Sequence, residues 1–217
     1  MVFAQLLAAV LAGYLLGSLP FGVLVCRMRG LDPRVVGSGR TGGTNVYRTA
    51  GLPAALVTIA LDIAKGFAAV ELARQLLPPG SAGSAAQWAA PLAGLAAILG
   101  HNHSAFVGFR GGAGSTPNVG AILAIDPALF VGGLLLGAVV LVGSRVAALA
   151  SMTLSGVLAV GLSWRVVDGA LPPEMLAYAL GQLLLVLWAL RPNIRRMRKG
   201  QERRFDPPWQ RSGSGTG

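Results

Sequence analysis

Long apolar stretches separated by small polar clusters set the pattern of this chain. Met1 to Cys26 holds no charge and is followed at once by Arg27 and Arg29. Gln75 to Phe109, Pro127 to Ser144, Val146 to Trp164 and Met175 to Leu190 are equally free of charge. Leu52 to Leu77 is apolar apart from Asp62, Lys65, Glu71 and Arg74. A membrane-crossing helix needs about 20 mostly apolar residues, so six spans are expected directly. The expected fold is all-α, a polytopic membrane helix bundle with glycine-rich cytoplasmic loops. One integral membrane unit over 1–199 is expected, with a tail over 200–217 that is basic first and then rich in Gly and Ser.

Orientation follows from where the cations fall. The first stretch lacks a basic leading segment and carries its positive charges behind it, so it reads as a first helix with its N-terminus outside. The loop after it holds Arg27, Arg29, Arg34, Arg40 and Arg48, and the C-terminal tail holds Arg191 through Arg211. Placing both inside requires an odd number of spans. Gly114 to Asp126 supplies a short seventh helix, broken at Asp126-Pro127 because proline disfavours helix in the residue before it. Arg110 and Arg145 then also fall inside, which leaves Arg74 and Arg165 outside and Lys65 within the membrane.

Composition narrows the class further. Hydrophobic residues make up 53% and charged residues 12%, with a mean hydropathy of +0.63. Soluble domains carry about 25% charged residues, and disorder needs low hydrophobicity with high charge, so both are excluded. The single cysteine, Cys26, excludes an internal disulfide framework and a thiolate-rich zinc site. His101 and His103 stand two apart with no carboxylate or cysteine near them in sequence, so no metal is expected. The net charge of +10 suits loops that meet anionic lipid headgroups. Nucleic acid is not an expected partner, because the basic residues flank spans and no aromatic-rich binding module accompanies them.

Two glycine-dense segments carry the candidate chemistry: Gly37-Ser38-Gly39-Arg40-Thr41-Gly42-Gly43-Thr44-Asn45-Val46-Tyr47-Arg48, and Gly100-His101-Asn102-His103 through Gly111-Gly112-Ala113-Gly114. Glycine allows positive φ and close backbone approach, and successive backbone N–H groups then form a concave anion site. The hydroxyls of Ser38, Thr41 and Thr44, the Asn45 amide, and the Arg40 and Arg48 guanidinium groups are what a phosphate needs. Gly13, Gly17, Gly94, Gly132 and Gly137 lie inside spans, where small residues let helices pack closely. No Gly-Lys-Ser/Thr follows either loop, so nucleotide hydrolysis is not indicated.

The chain resembles the membrane acyl-phosphate:glycerol-3-phosphate acyltransferases of bacterial phospholipid synthesis. The resemblance rests on Gly17-Ser18-Leu19-Pro20-Phe21-Gly22, the Gly37 to Arg48 loop, Leu61-Asp62-Ile63-Ala64-Lys65-Gly66 and Gly100-His101-Asn102 through Gly114. Asn193-Ile194-Arg195-Arg196 and Gly200-Gln201-Glu202 complete it in the tail. It implies seven helices in a bacterial cell (inner) membrane and an active site facing the cytoplasm. It also implies transfer of a fatty acyl group from acyl phosphate to the 1-hydroxyl of glycerol 3-phosphate, forming lysophosphatidic acid with no cofactor. The family's characteristic loop serine and arginine match Ser38 and Arg48, which take the catalytic roles. Gly39, Thr41, Gly42, Thr44, Asn45, His101, Gly111, Gly112, Gly114 and Asn193 are the expected substrate-binding residues, with Gly111, Gly112 and Gly114 offering backbone N–H groups to the anion.

Two positions depart from the family pattern, and beyond Gly114 the Ser115-Thr116-Pro117-Asn118 run replaces its more usual Val-Ala-Thr. Ala113 stands where the second loop usually has lysine, and Leu190 stands where the tail usually has histidine. A charge-assisted hydrogen bond contributes on the order of 1.5–3 kcal/mol, so each loss weakens phosphate binding unless Arg40 or Arg110 compensates. Two other classes therefore stay open on the residues alone: a catalytically weakened paralogue acting as a lipid-binding scaffold, and a small solute transporter. Asp62 and Lys65, three apart and on one helical face, suit either a structural ion pair or an intramembrane functional path.

Overall fold

The structure is a computed structural model that describes residues 1–78, 80 and 83–204, and among them it is all helical. The Gly/Ser-rich end of the expected tail, 205–217, lies outside the described residues. Among the described residues nine α-helices run α1 Val2–Ser18, α2 Phe21–Arg27, α3 Gly43–Leu76, α4 Ser84–Asn102, α5 Ser115–Ile125, α6 Pro127–Ser144, α7 Ala147–Val167, α8 Met175–Ala189 and α9 Arg191–Arg198. Each of the seven expected spans is helical. By length and apolarity three stretches qualify alone (Val2–Arg27, α6 and α7), and the α8–α9 pair, bent by 60°, makes a fourth. Within the bundle α4 and α5 are mostly buried, whereas Leu7, Leu11, Leu15, Leu135, Val139, Leu180 and Leu184 are exposed. In a water-soluble protein so much exposed apolar surface is a liability; here it is the face that lipid covers.

Three boundaries differ from the sequence expectation. The first span is two helices, because Pro20 drives Leu19 out of the α region (φ −54°, ψ 118°). The first glycine loop ends early, since Gly43 to Arg48 already forms the first turns of α3. That helix is interrupted at Gly51 (φ 83°), a left-handed conformation open to glycine, just before Pro53. The second glycine loop also begins later than expected, because Gly100 to Asn102 closes α4.

Small residues bring the helices together. A Cβ on Gly13 or Gly17 would overlap the backbone of Ala93 or Ala97, and one on Gly100 would meet the Tyr14 and Ser18 backbone. The contacts advance together along both chains, so α1 and α4 run parallel. Gly94 makes room for Tyr178 and Gly137 is in ordinary contact with Leu154, but Gly132 faces open space and contributes no packing. In the middle of the bundle α5, α7 and α8 are joined by a buried polar network: Tyr178 OH donates to Asn118 Oδ1 at 2.7 Å, Asn118 Nδ2 to Gln182 Oε1 at 2.7 Å, and Gln182 Nε2 to the Ser155 carbonyl at 2.9 Å. Interhelical hydrogen bonds of this kind are what hold helices together where lipid offers no hydrophobic drive.

Two contacts fix the direction of the short α5. Ser151 bonds to Ser115 at 3.1 Å near the N-termini of α7 and α5, and Arg165 pairs with Asp126 at 2.8 Å near their C-termini. The two helices therefore run the same way, as α1 and α4 do, and each such pair is separated by one intervening span. This alternation is what a seven-pass chain requires. Asp126 also caps α6 by accepting from the Ala128 and Leu129 N–H groups, with Pro127 at the first helical position. At 11 residues α5 rises only about 16 Å, roughly half a hydrocarbon core of ~30 Å. Its N-terminus is therefore recessed, and the polar cavity lies there.

Candidate active site

The cavity forms where the N-termini of α3, α5 and α7 meet the C-terminus of α8 and the returning tail. Its lining includes Ser38, Arg40, Gly42, Thr44, Asn45 and Arg48 from the first loop and α3, with His101, Gly112, Ala113, Ser115 and Thr116 around the second loop. Ala147, Ala148 and Ser151 of α7, then Leu190, Asn193, Glu202 and Arg203, close it. The empty space is about 760 Å³ including its open mouth, within the range of small-ligand sites. Three helix N-termini and three arginines facing one space favour an anion there.

The first loop is shaped by Asn45. Its Nδ2 lies 2.6 Å from the Pro33 carbonyl, 3.0 Å from that of Val36 and 2.9 Å from that of Arg40, while its Oδ1 accepts the Ser38 N–H at 3.0 Å. Asn45 is thus an organiser of the loop, and its amide is occupied within it, contrary to the expectation that it reaches substrate. At Gly37 (φ 58°) the wrap leaves no room for a side chain; a Cβ there would lie 2.5 Å from Asn45 Oδ1. Upstream, Arg34 pairs with Asp32 at 2.6 Å and holds the Asp32 carboxyl down at about 2. Arg40 Nη2 donates to the Ala189 carbonyl at the end of α8, while its Nη1 is buried and has no hydrogen-bond partner among the described residues. Burial pushes the Arg40 pKa down, Arg196 adds to that push, and Glu202 opposes it.

Other expected substrate ligands also have different positions. Gly112 lines the cavity, but its N–H is donated to the His101 carbonyl at 3.0 Å, so it is not free for an anion. Gly111 lines a neighbouring hollow together with Arg40, Asn102 and Arg195. Gly114 (φ 79°) is the N-cap of α5. Gly39 and the buried Thr41 are not on the lining of the main cavity. Asn193 is on it and donates to Glu202 Oε1 at 2.8 Å, leaving its own Oδ1 buried without a partner among the described residues.

Ala113 and Leu190, the two departures from the family pattern, share one wall. Both line the cavity, and they pack in one apolar cluster with Ala148, Val186 and Met197. The cation and the imidazole missing from the pattern have thus been replaced together by a continuous apolar patch. Arg110, by contrast, is exposed and lines neither hollow. Of the two cations, Arg40 is the one on the cavity lining.

Several contributors lay outside the sequence expectation. Glu202 stood in the tail motif, but only the fold shows it anchoring the returning tail through Asn193 and through Arg196 Nε at 3.0 Å. Arg48 Nη2 donates to the Arg204 carbonyl at 3.3 Å on the same strap. Ser115, Ser151 and Ala148 carry no local signal and enter the site only through the packing of α5 on α7.

Fold and site together define a multi-pass helical membrane protein with a recessed, arginine-lined anion pocket. A family model described as glycerol-3-phosphate acyltransferase matches residues 7–200. Glycerol-3-phosphate acyltransferase 3 of Dehalococcoides mccartyi is 40% identical over 216 residues, covering 95% of this chain and 98% of the relative. A glycerol-3-phosphate acyltransferase of Thermus thermophilus is 40% identical over 195 residues, covering 90% of this chain and 92% of the relative. Among solved structures, the crystal structure of PlsY, an integral membrane glycerol 3-phosphate acyltransferase, in its glycerol 3-phosphate form superposes with a TM-score of 0.81 at 32% identity. It covers 93% of this chain and 96% of that one. The chain belongs to the glycerol-3-phosphate acyltransferase family.

Proposed function

We propose that this protein transfers a fatty acyl group from acyl phosphate to the 1-hydroxyl of glycerol 3-phosphate, forming lysophosphatidic acid and releasing inorganic phosphate. The observation that carries this reading is the convergence of Ser38, Arg48, Gly112 and Asn193, from three distant parts of the sequence, on one recessed cationic cavity. The matching PlsY structures include a glycerol 3-phosphate form and a lysophosphatidic acid form, which supports both the acceptor and the product. Acyl phosphate as donor is our own extension, as is the assignment of 1–199 to one membrane unit.

Acyl phosphate is an activated mixed anhydride, so the protein has mainly to align two reactants and stabilise charge. The acceptor hydroxyl attacks the acyl carbon, the bond from that carbon to the phosphate oxygen breaks, and phosphate leaves. The hydroxyl proton passes to a phosphate oxygen of a substrate. Arg48 and Arg40 hold phosphate charge, and Ser38 bonds within the pocket. The apolar wall of Ala113, Leu190 and Ala148 lies beside the cations, which suits a substrate that joins an acyl chain to a phosphate. Membrane lipid surrounds the bundle, and the acyl donor reaches the cavity from it.

We place the cavity on the cytoplasmic side of a bacterial cell (inner) membrane and the N-terminus outside, on the strength of the basic loops at the cavity end. The test is genetic: the gene, expressed in cells depleted of their own acyl-phosphate-dependent acyltransferase, restores growth without added lysophosphatidic acid. Failure to rescue with the protein present in the membrane would overturn the reading. A reporter fused to the C-terminus checks orientation independently.

A further inference from the structure

Lys65 sits where three acceptors meet. Its Nζ lies 2.7 Å from Asp62 Oδ1, 2.9 Å from the Leu19 carbonyl and 2.9 Å from His101 Nδ1. The side chains of Lys65, Asp62 and His101 are 2%, 1% and 4% exposed, so the arrangement is buried. Each contact has its own purpose. Asp62 supplies the counter-charge that an ammonium needs at this depth. The Leu19 carbonyl belongs to the break between α1 and α2, where a backbone group inside a membrane must find a partner. Neither purpose explains the third contact, to an imidazole on the cavity wall.

An ammonium has three N–H donors and no acceptor, so in its contact with His101 Lys65 can only donate. The donor directed at His101 makes Nδ1 the acceptor, and a neutral imidazole that accepts at Nδ1 carries its proton on Nε2. That nitrogen faces the second glycine loop. A Cβ at Gly112 would fall on His101 Nε2, so glycine is what lets the loop lie against it. His101 and Gly112 both line the cavity, and Nε2 has no hydrogen-bond partner among the described residues.

We infer that Asp62 and Lys65 are positioning residues that lock His101 as the Nε2–H tautomer, so that its imidazole donates a hydrogen bond to a substrate oxygen in the cavity and does not act as a base. The inference rests on the acyl-transfer reading and deepens it: with His101 held as a donor, the proton of the acceptor hydroxyl goes to substrate phosphate. A purely structural ion pair makes a different prediction. Replacing both members of such a pair by neutral residues leaves no orphan charge and is often neutral or stabilising.

The decisive experiment has two parts. The chain has two histidines, so ¹⁵N-histidine labelling in nanodiscs yields two imidazole patterns, and a His103→Gln variant assigns them. His101 is expected to show a protonated Nε2 and an unprotonated Nδ1, and the Nε2–H signal is expected to move when glycerol 3-phosphate is added. An Nδ1–H tautomer or a doubly protonated ring would overturn the lock. In the second part, the Asp62→Asn/Lys65→Met double variant, if folded by its unchanged melting profile, should lose roughly tenfold in kcat, the worth of one neutral hydrogen bond. In a His101→Ala background the double variant should cost nothing further. Undiminished kcat in the folded double variant, or a full additional loss without His101, would overturn the positioning role. Wild-type protein that shows the Nε2–H pattern but transfers no acyl group would instead sink the acyl-transfer reading and leave the lock supported.

Discussion

Arg40→Met separates compensation by Arg40 from compensation by Arg110. Methionine keeps the apolar stem and removes the guanidinium, including the buried Nη1 that has no partner among the described residues and the Nη2 bond to the Ala189 carbonyl. The carbonyl bond contributes about 1 kcal/mol to stability, which leaves a protein still folded. If Nη1 meets phosphate, the variant loses a charge-assisted hydrogen bond of about 1.5–3 kcal/mol, and at about 1.4 kcal/mol per tenfold this is roughly a 10- to 100-fold loss in kcat/KM. A phosphate held equally in the ground and transition states appears as a raised KM for glycerol 3-phosphate with kcat little changed. The assay is glycerol-3-phosphate-dependent release of inorganic phosphate from palmitoyl phosphate by protein in nanodiscs. Arg110→Met serves as the control, since Arg110 is exposed and lines neither hollow, and it should stay within twofold of wild type. An Arg40→Met protein as active as wild type, or an Arg110→Met protein as damaged as Arg40→Met is expected to be, would refute the reasoning.

Other consequences follow from the same geometry. Gly17→Ala places a methyl group on the Ala97 backbone and should destabilise by about 1–3 kcal/mol, seen as a lowered melting temperature in detergent, whereas Gly132→Ala meets nothing and should melt as wild type does. Asn45→Asp keeps the acceptor for the Ser38 N–H but removes the donor to three loop carbonyls; both stability and kcat should fall, and hydrogen exchange should rise over 33–42. Leu190→His puts a polar ring into an apolar cluster beside Val186 and Ala148; alone it should lower stability by about 1–3 kcal/mol, and any gain in activity should require Ala113→Lys beside it.

Much of the fold was legible because membrane insertion leaves a coarse signal. Charge-free stretches and the position of cations give the spans, and Asp126-Pro127 marks the start of α6 in sequence as it does in the structure. Helix breaks inside a span were less visible: Leu19-Pro20 sits in an unbroken apolar run, and only the fold shows that the Leu19 carbonyl at the break accepts from Lys65. In the site, residue type was readable and role was not. Asn45 looks like a ligand in sequence because an amide suits phosphate, yet the wrapping of the loop occupies it. Gly112 looks like an open donor, yet its N–H goes to His101. Asp62 and Lys65 were readable as a pair from their spacing, while the third partner, His101, lies on another helix. Ser151 and Ala148 depend on the packing of α7 against α5, for which no short motif exists.

The most direct measurement of the central claim is the stoichiometry of transfer by the purified protein. With palmitoyl phosphate and glycerol 3-phosphate, the account predicts one lysophosphatidic acid formed for each inorganic phosphate released, with both products lost together in Arg48→Ala. Phosphate released without lysophosphatidic acid, or product formation unchanged in Arg48→Ala, would contradict it.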